Sequence, residues 1–180
     1  MRLFLYSLSI IYGMITSLRN SLFDYGILKT KTHNIPIICV GNLSVGGSGK
    51  TPHINYIAKL LSPNYKVAIL SRGYGRKSSG FNYVELDSIT STVGDEPLQL
   101  KQNNPNCIGA ANNNRNKGVE KILSDHPQTN VILLDDGFQH RSIKAGLNII
   151  LTPFHNPFIK DNLLPLGTLR EHANAATRAD

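Results

Sequence analysis

Cysteine is scarce in this chain, and internal repeats and low-complexity tracts are missing altogether. Its two cysteines, Cys39 and Cys107, form no CxxC pair and sit in no cluster of histidines or acids. That excludes a disulfide-stapled scaffold and a structural zinc module. Both thiols stand in apolar, strand-like context and read as reduced core residues of a cytosolic protein. With 41% hydrophobic and 17% charged residues, the composition is that of one globular domain, and 180 residues suffice to bury a real core.

Acidic residues are also in short supply, 12 against 19 lysines and arginines, giving a net charge of +7 and a pI near 9.5. An anionic partner follows: nucleic acid, a phosphorylated metabolite or a lipid head group. The basic residues are scattered, and no run alternates them with aromatics, so no nucleic-acid partner is expected.

Charge is missing entirely between Arg2 and Arg19. As a helix, the uncharged Leu3 to Leu18 would span about 24 Å, short of a ~30 Å hydrocarbon core. Thr16-Ser17-Leu18-Arg19 is a poor cleavage site for a signal peptide. Three placements stay open: a helix half-inserted at an interface and anchored by Arg2 and Arg19, a helix packed on its own domain, or a true span or signal. The first is the expectation, with residues 1–30 as a membrane-associated helix and connector and 31–180 as the lobe that follows. Lys29 and Lys31 in the connector are placed to meet anionic lipid.

What the chain does have is a loop. Ile37-Ile38-Cys39-Val40 is a short apolar run, followed by Gly41-Asn42-Leu43-Ser44-Val45-Gly46-Gly47-Ser48-Gly49-Lys50-Thr51. Beyond it, Ile54, Ile57, Ala58 and Leu61 fall on one helical face, with Pro52 in the first turn. Strand, glycine-rich loop, Lys-Thr, helix is the architecture of a phosphate cradle. Backbone amides of Ser44, Val45, Gly46, Gly47, Ser48 and Gly49 would surround a phosphate, Lys50 would reach its outer oxygens, and the Thr51 hydroxyl would take a Mg²⁺ position. Ser44 stands where the general pattern has its first glycine.

Val131-Ile132-Leu133-Leu134 ends in Asp135-Asp136, the pattern of a buried strand that delivers carboxylates to a phosphate-bound Mg²⁺. His140 follows four residues after Asp136; a lone histidine is more often structural than catalytic. Val67-Ala68-Ile69-Leu70, Cys107-Ile108-Gly109-Ala110 and Leu147 to Leu151 read as further buried strands, and Phe81 to Leu86 as a short extra one. These alternate with helical patterns, which defines an α/β fold: a P-loop NTPase-like core with a mainly parallel sheet flanked by helices. Arg72 and Arg76 lie in a basic loop at a strand's C-terminal end, either gripping a phosphate or forming a solvated turn. Asp95 either caps a helix or faces the phosphate loop.

Taken together, VGNLSVGGSGKTP (Val40 to Pro52), SRGYGR (Ser71 to Arg76), GDEP (Gly94 to Pro97), DDGFQHR (Asp135 to Arg141) and LPLGTLRE (Leu164 to Glu171) resemble the tetraacyldisaccharide 4'-kinase family of lipid A biosynthesis. The resemblance covers the whole chain. It implies attachment to the cytoplasmic face of the bacterial inner membrane and transfer of the γ-phosphate of ATP to the 4'-hydroxyl of a tetraacylated glucosamine disaccharide 1-phosphate. It further implies that Asp95 helps activate that hydroxyl, that His140 lies near the reacting phosphates, and that Arg170 and Glu171 stand near the metal and γ-phosphate. Glu171 is thereby a metal candidate beside Thr51, Asp135 and Asp136. Arg72, Arg76, Arg115 and Arg170 are substrate candidates.

Members of that family run well beyond 180 residues, and their second lobe carries a histidine that pairs with the Asp95-equivalent carboxylate. His172 stands here where the family usually has proline, and Asn114 where an aspartate often precedes the arginine. The alternative class is another membrane-associated P-loop NTPase, a GTPase or a nucleotide-regulated scaffold. Against the GTPase, no guanine-reading Asn/Thr-Lys-x-Asp occurs.

Overall fold

The computed structural model describes residues 2–180; Met1 and the side chain of the expected anchor Arg2 lie outside the described residues. Six strands form one sheet in the order β3-β4-β2-β5-β1-β6. They are β1 (Ile37–Asn42), β2 (Val67–Ser71), β3 (Asn82–Val84), β4 (Ile108–Ala111), β5 (Val131–Asp135) and β6 (Leu147–Leu151). All pairings are parallel except β3 with β4. The expected strands are present, and the extra strand at the edge is the antiparallel one.

Strand geometry explains the two apolar layers. Successive side chains point to opposite faces, so Cys39, Leu70 and Leu134 enter one buried cluster while Val40, Ile69 and Leu133 enter the other. The second cluster takes in Ile54 and Ala58 of α2 (Lys50–Leu61) and Leu100 of α4 (Asp95–Asn103). The first takes in Val119 and Ile122 of α5 (Arg115–Asp125), together with Leu163, Leu169 and Ala175 from the segment after β6. A single turn, α3 (Thr90–Val93), precedes α4. Both faces of the central strands are therefore covered, as near-continuous apolar strands require.

The N-terminal helix α1 (Arg2–Asp24) packs against the domain by its polar stripe. Ser9 is buried and donates to the Leu163 carbonyl at 2.9 Å, and the Tyr12 hydroxyl donates to the Arg170 carbonyl at 2.7 Å. Gly13 permits this approach, since a Cβ there would meet Leu163 Cδ1 at 2.7 Å. The apolar residues face outward: Leu3 is 83% exposed, and Phe4, Ile10, Ile11, Met14, Ile15 and Leu18 are exposed with it. Among the described residues no helix is long and apolar enough to cross a membrane. Lys31, expected to face lipid, is engaged by Glu120 in an exposed ion pair.

Candidate nucleotide-binding site

Open α/β sheets bind ligands beyond the carboxyl ends of their strands. Here the ends of β1, β2 and β5 converge on a cleft of about 550 Å³. Its walls carry Val45, Gly46 and Lys50 from the loop after β1, Ser71, Arg72 and Tyr74 from β2 and beyond, and Asp135, Asp136, Gln139 and His140 from β5 and its turn. Tyr12, Thr16 and Arg19 of α1, Glu96 of α4 and Arg170 complete it.

The loop is built to receive an anion. Gly46 and Gly49 adopt positive φ angles of 110° and 81°, which only glycine takes without strain. Among the described residues, the amides of Gly46, Gly47, Ser48 and Gly49 donate to no carbonyl or side chain. The buried Ser48 hydroxyl likewise has no partner. A buried donor is normally satisfied, so the Ser48 hydroxyl, together with loop amides left open toward solvent, marks an anion position. Val45 is held in place by the Thr168 carbonyl at 2.8 Å, and Ser44 pairs with Leu169 in a short bridge. Lys50 and the half-buried Thr51 begin α2, so the helix N-terminus adds its partial positive charge.

Opposite the loop, Asp136 has φ 51°, an uncommon value for a residue other than glycine and one that aspartate tolerates better than most. Its carboxylate lies 3.7 Å from Lys50 Nζ and 2.9 Å from Arg170 Nη1 through either oxygen. Asp135 is buried and accepts the Ser71 hydroxyl at 3.0 Å. Burial pushes its carboxyl up to about 6, and Glu96 adds to the rise. His140 moves the other way: burial, reinforced by Arg115 and Arg72, lowers it to about 4, so the ring is neutral near pH 7.

Several expected site residues fall outside the cleft wall. Asp95 is exposed at the first position of α4, with Oδ1 accepting the Glu96 amide at 2.9 Å; it is Glu96 that lines the cleft. Arg76 is committed to backbone, donating to the Ala111 carbonyl at 3.2 Å and the Gly80 carbonyl at 2.6 Å. Arg115 is 2% exposed and donates to the carbonyls of Asn112 and Asp135, holding the end of β5 from beneath. Glu171 is 3% exposed, absent from the cleft wall, and accepts from Arg178 at 2.6 Å, Asn20 at 2.8 Å and Gln139 at 3.0 Å. Among the described residues no group of three or more histidines, cysteines or acids could hold a metal by itself.

Glu96, Gln139, Tyr12 and Thr16 were not singled out from sequence, and Arg19, expected as a helix anchor, also lines the cleft and donates to the Gln139 carbonyl at 3.0 Å. Glu96 and Gln139 stand inside GDEP and DDGFQHR. The α1 contribution was signalled by the spacing of Ser9, Tyr12, Gly13, Thr16 and Asn20, a polar stripe through an otherwise apolar helix.

A phosphate loop facing two carboxylates at the end of a parallel strand defines a P-loop nucleotide-binding protein. The family model described as Tetraacyldisaccharide-1-P 4'-kinase matches residues 1–180, and the chain belongs to that family. It is 50% identical over 176 residues to a tetraacyldisaccharide 4'-kinase of Bacteroides thetaiotaomicron, covering 97% of this chain and 46% of that protein. With its counterpart from Flavobacterium johnsoniae it shares 48% identity over 180 residues, which is 100% of this chain and 53% of the relative. The crystal structure of the "apo" form of LpxK from Aquifex aeolicus in complex with ATP aligns with a TM-score of 0.91 and 43% identity, over 99% of this chain and 57% of that one. The chain spans about half the length of the curated relatives it matches.

Proposed function

We propose that this chain supplies the ATP-binding part of a membrane-docked lipid kinase. The reaction is transfer of the γ-phosphate of ATP to the 4'-hydroxyl of a tetraacyldisaccharide 1-phosphate. The observation that carries the reading is the placement of Lys50 against Asp136 at 3.7 Å, beside four loop amides without acceptors. Phosphoryl transfer demands positioning and charge neutralisation more than covalent chemistry. Lys50 and the amides of Gly46 to Gly49 neutralise the triphosphate, and Arg170 lies one carboxylate away from it. Arg72 approaches the acceptor's 1-phosphate from the exposed side of the cleft.

The oxygen donors present fit a Mg²⁺. Asp135, Asp136 and the Thr51 hydroxyl would supply the few protein ligands that this ion takes alongside phosphate oxygens and water. When bound, the ion neutralises charge on the phosphates. Asp95 orients or deprotonates the sugar hydroxyl from the start of α4, beside Glu96, and the neutral ring of His140 lies close to the reacting phosphates.

The outward apolar face of α1 fits a membrane surface, and the cytoplasmic face of the bacterial inner membrane is the one where ATP is available. The deciding experiment incubates the intact protein with γ-labelled ATP or GTP and the disaccharide 1-phosphate acceptor in detergent. Label in the glycolipid from ATP supports the reading. Nucleotide binding without transfer would leave a scaffold, and a preference for GTP would point to a GTPase.

A further inference from the structure

Asn42, the last residue of β1, is 1% exposed and lies outside the cleft wall, yet its side chain and main chain are bonded at three points. Its Nδ2 donates to the Ser44 carbonyl at 2.6 Å, fixing the start of the phosphate loop. Its Oδ1 accepts Lys50 Nζ at 3.2 Å, and its carbonyl accepts Gln139 Nε2 at 2.9 Å. One buried amide thus ties the first turn of the loop to the lysine eight residues on.

We infer that Asn42 is a positioning residue for the phosphate-binding lysine: it fixes the direction of the Lys50 ammonium before nucleotide arrives. The inference rests on the ATP-binding reading of the cleft. A flexible lysine loses rotamer freedom when it engages a phosphate, and an anchor that orders it beforehand removes part of that cost. The chemistry of the anchor matters. Asp136 also faces Lys50, but a carboxylate cancels the charge that the phosphate needs, whereas an amide oxygen orients the ammonium and leaves its charge intact. The 3.2 Å contact to a neutral acceptor against 3.7 Å to the acid fits that division of labour.

A double-mutant cycle tests it, reading ATP affinity by calorimetry on the intact protein. Asn42→Ala weakens ATP binding about tenfold, the factor associated with one hydrogen bond to a charged group. In a Lys50→Ala background the same change has little further effect, because the group it positions is gone. Asn42→Ser serves as the second variant should the alanine protein fail to fold, since its hydroxyl is polar but too short to span to Lys50. A purely structural role would instead lower affinity equally in both backgrounds, and that result overturns the inference. Unchanged affinity in Asn42→Ala overturns it as well. Failure of the wild-type protein to bind ATP at all would sink the kinase reading itself, and is told apart by that control.

Discussion

Arg170 Nη1 sits 2.9 Å from each carboxylate oxygen of Asp136, and both side chains are about one-quarter exposed. An ion pair with that much solvent contact contributes little to stability, about 0–1 kcal/mol. Its significance lies in where it holds charge, at the mouth of the cleft beside Lys50. Arg170→Ala is therefore expected to leave the thermal midpoint within a few degrees of wild type, while lowering kcat roughly a hundredfold by removing a cation from the transferring phosphate. Steady-state kinetics and a melting curve on the same preparation check both halves.

Lys50 and Asp136 should be far less tolerant. Lys50→Ala removes the cation nearest the loop, and Asp136→Ala removes the carboxylate that a phosphate-bound Mg²⁺ would need. Each is expected to lower turnover in the intact protein by two or more orders of magnitude. Near-normal turnover in either variant would be incompatible with phosphoryl transfer at this cleft.

The two arginines of the basic loop separate cleanly. Arg72 is exposed on the cleft wall, whereas both terminal nitrogens of Arg76 serve backbone carbonyls. Arg72→Ala is expected to raise KM for the glycolipid severalfold with KM for ATP unchanged. Arg76→Ala should instead cost stability, about 1–3 kcal/mol for carbonyls that lose a charged donor, with little change in either KM. Measuring both constants for both variants decides the assignment.

These contrasts mark what was legible in the sequence. Strand periodicity and the loop pattern located β1, β5 and the cradle, because buried strands and glycine-dependent turns constrain residue type locally. Direction was not legible. Arg76 and Arg115 look like phosphate ligands in a string of letters, and only the fold turns one toward Ala111 and Gly80 and the other beneath Asp135. The ion-pair partner of Glu171, Arg178, follows seven residues later in a stretch without periodic pattern, so that pair had no local signature. The α1 helix was expected to meet the membrane by virtue of its hydrophobicity, but its polar stripe also builds one wall of the cleft.

His140 offers a pH test. Its folded value of about 4 lies below the usual 6.5, chiefly through burial. Between these values the unfolded chain binds this proton more readily than the folded one, so the ring's contribution to stability is lost as pH falls from about 6.5 toward 4. The raised Asp135 carboxyl contributes with the opposite sign below about 6. Replacing the ring with one that cannot be protonated, as in His140→Phe, is expected to flatten that part of the curve. Chemical denaturation at a series of pH values checks it; an unaltered slope would mean the ring is not the titrating group.

The outward face of α1 makes the last prediction. Ser9 and Tyr12 are occupied on the protein side, leaving Leu3, Phe4, Ile10, Ile11 and Met14 in solvent. Withdrawing one such large side chain from water is worth about 1.5–3 kcal/mol at most, so several together can hold a protein at a lipid surface. A variant with Leu3, Ile10, Ile11 and Met14 changed to serine should lose co-flotation with anionic vesicles, while its polar stripe still seats the helix on the domain. Activity toward acceptor dispersed in detergent should then survive, because Tyr12 and Arg19 keep their places in the cleft. Loss of flotation together with detergent activity would mean that the apolar face is required for the helix to seat, and would locate its partner within the protein rather than in the bilayer.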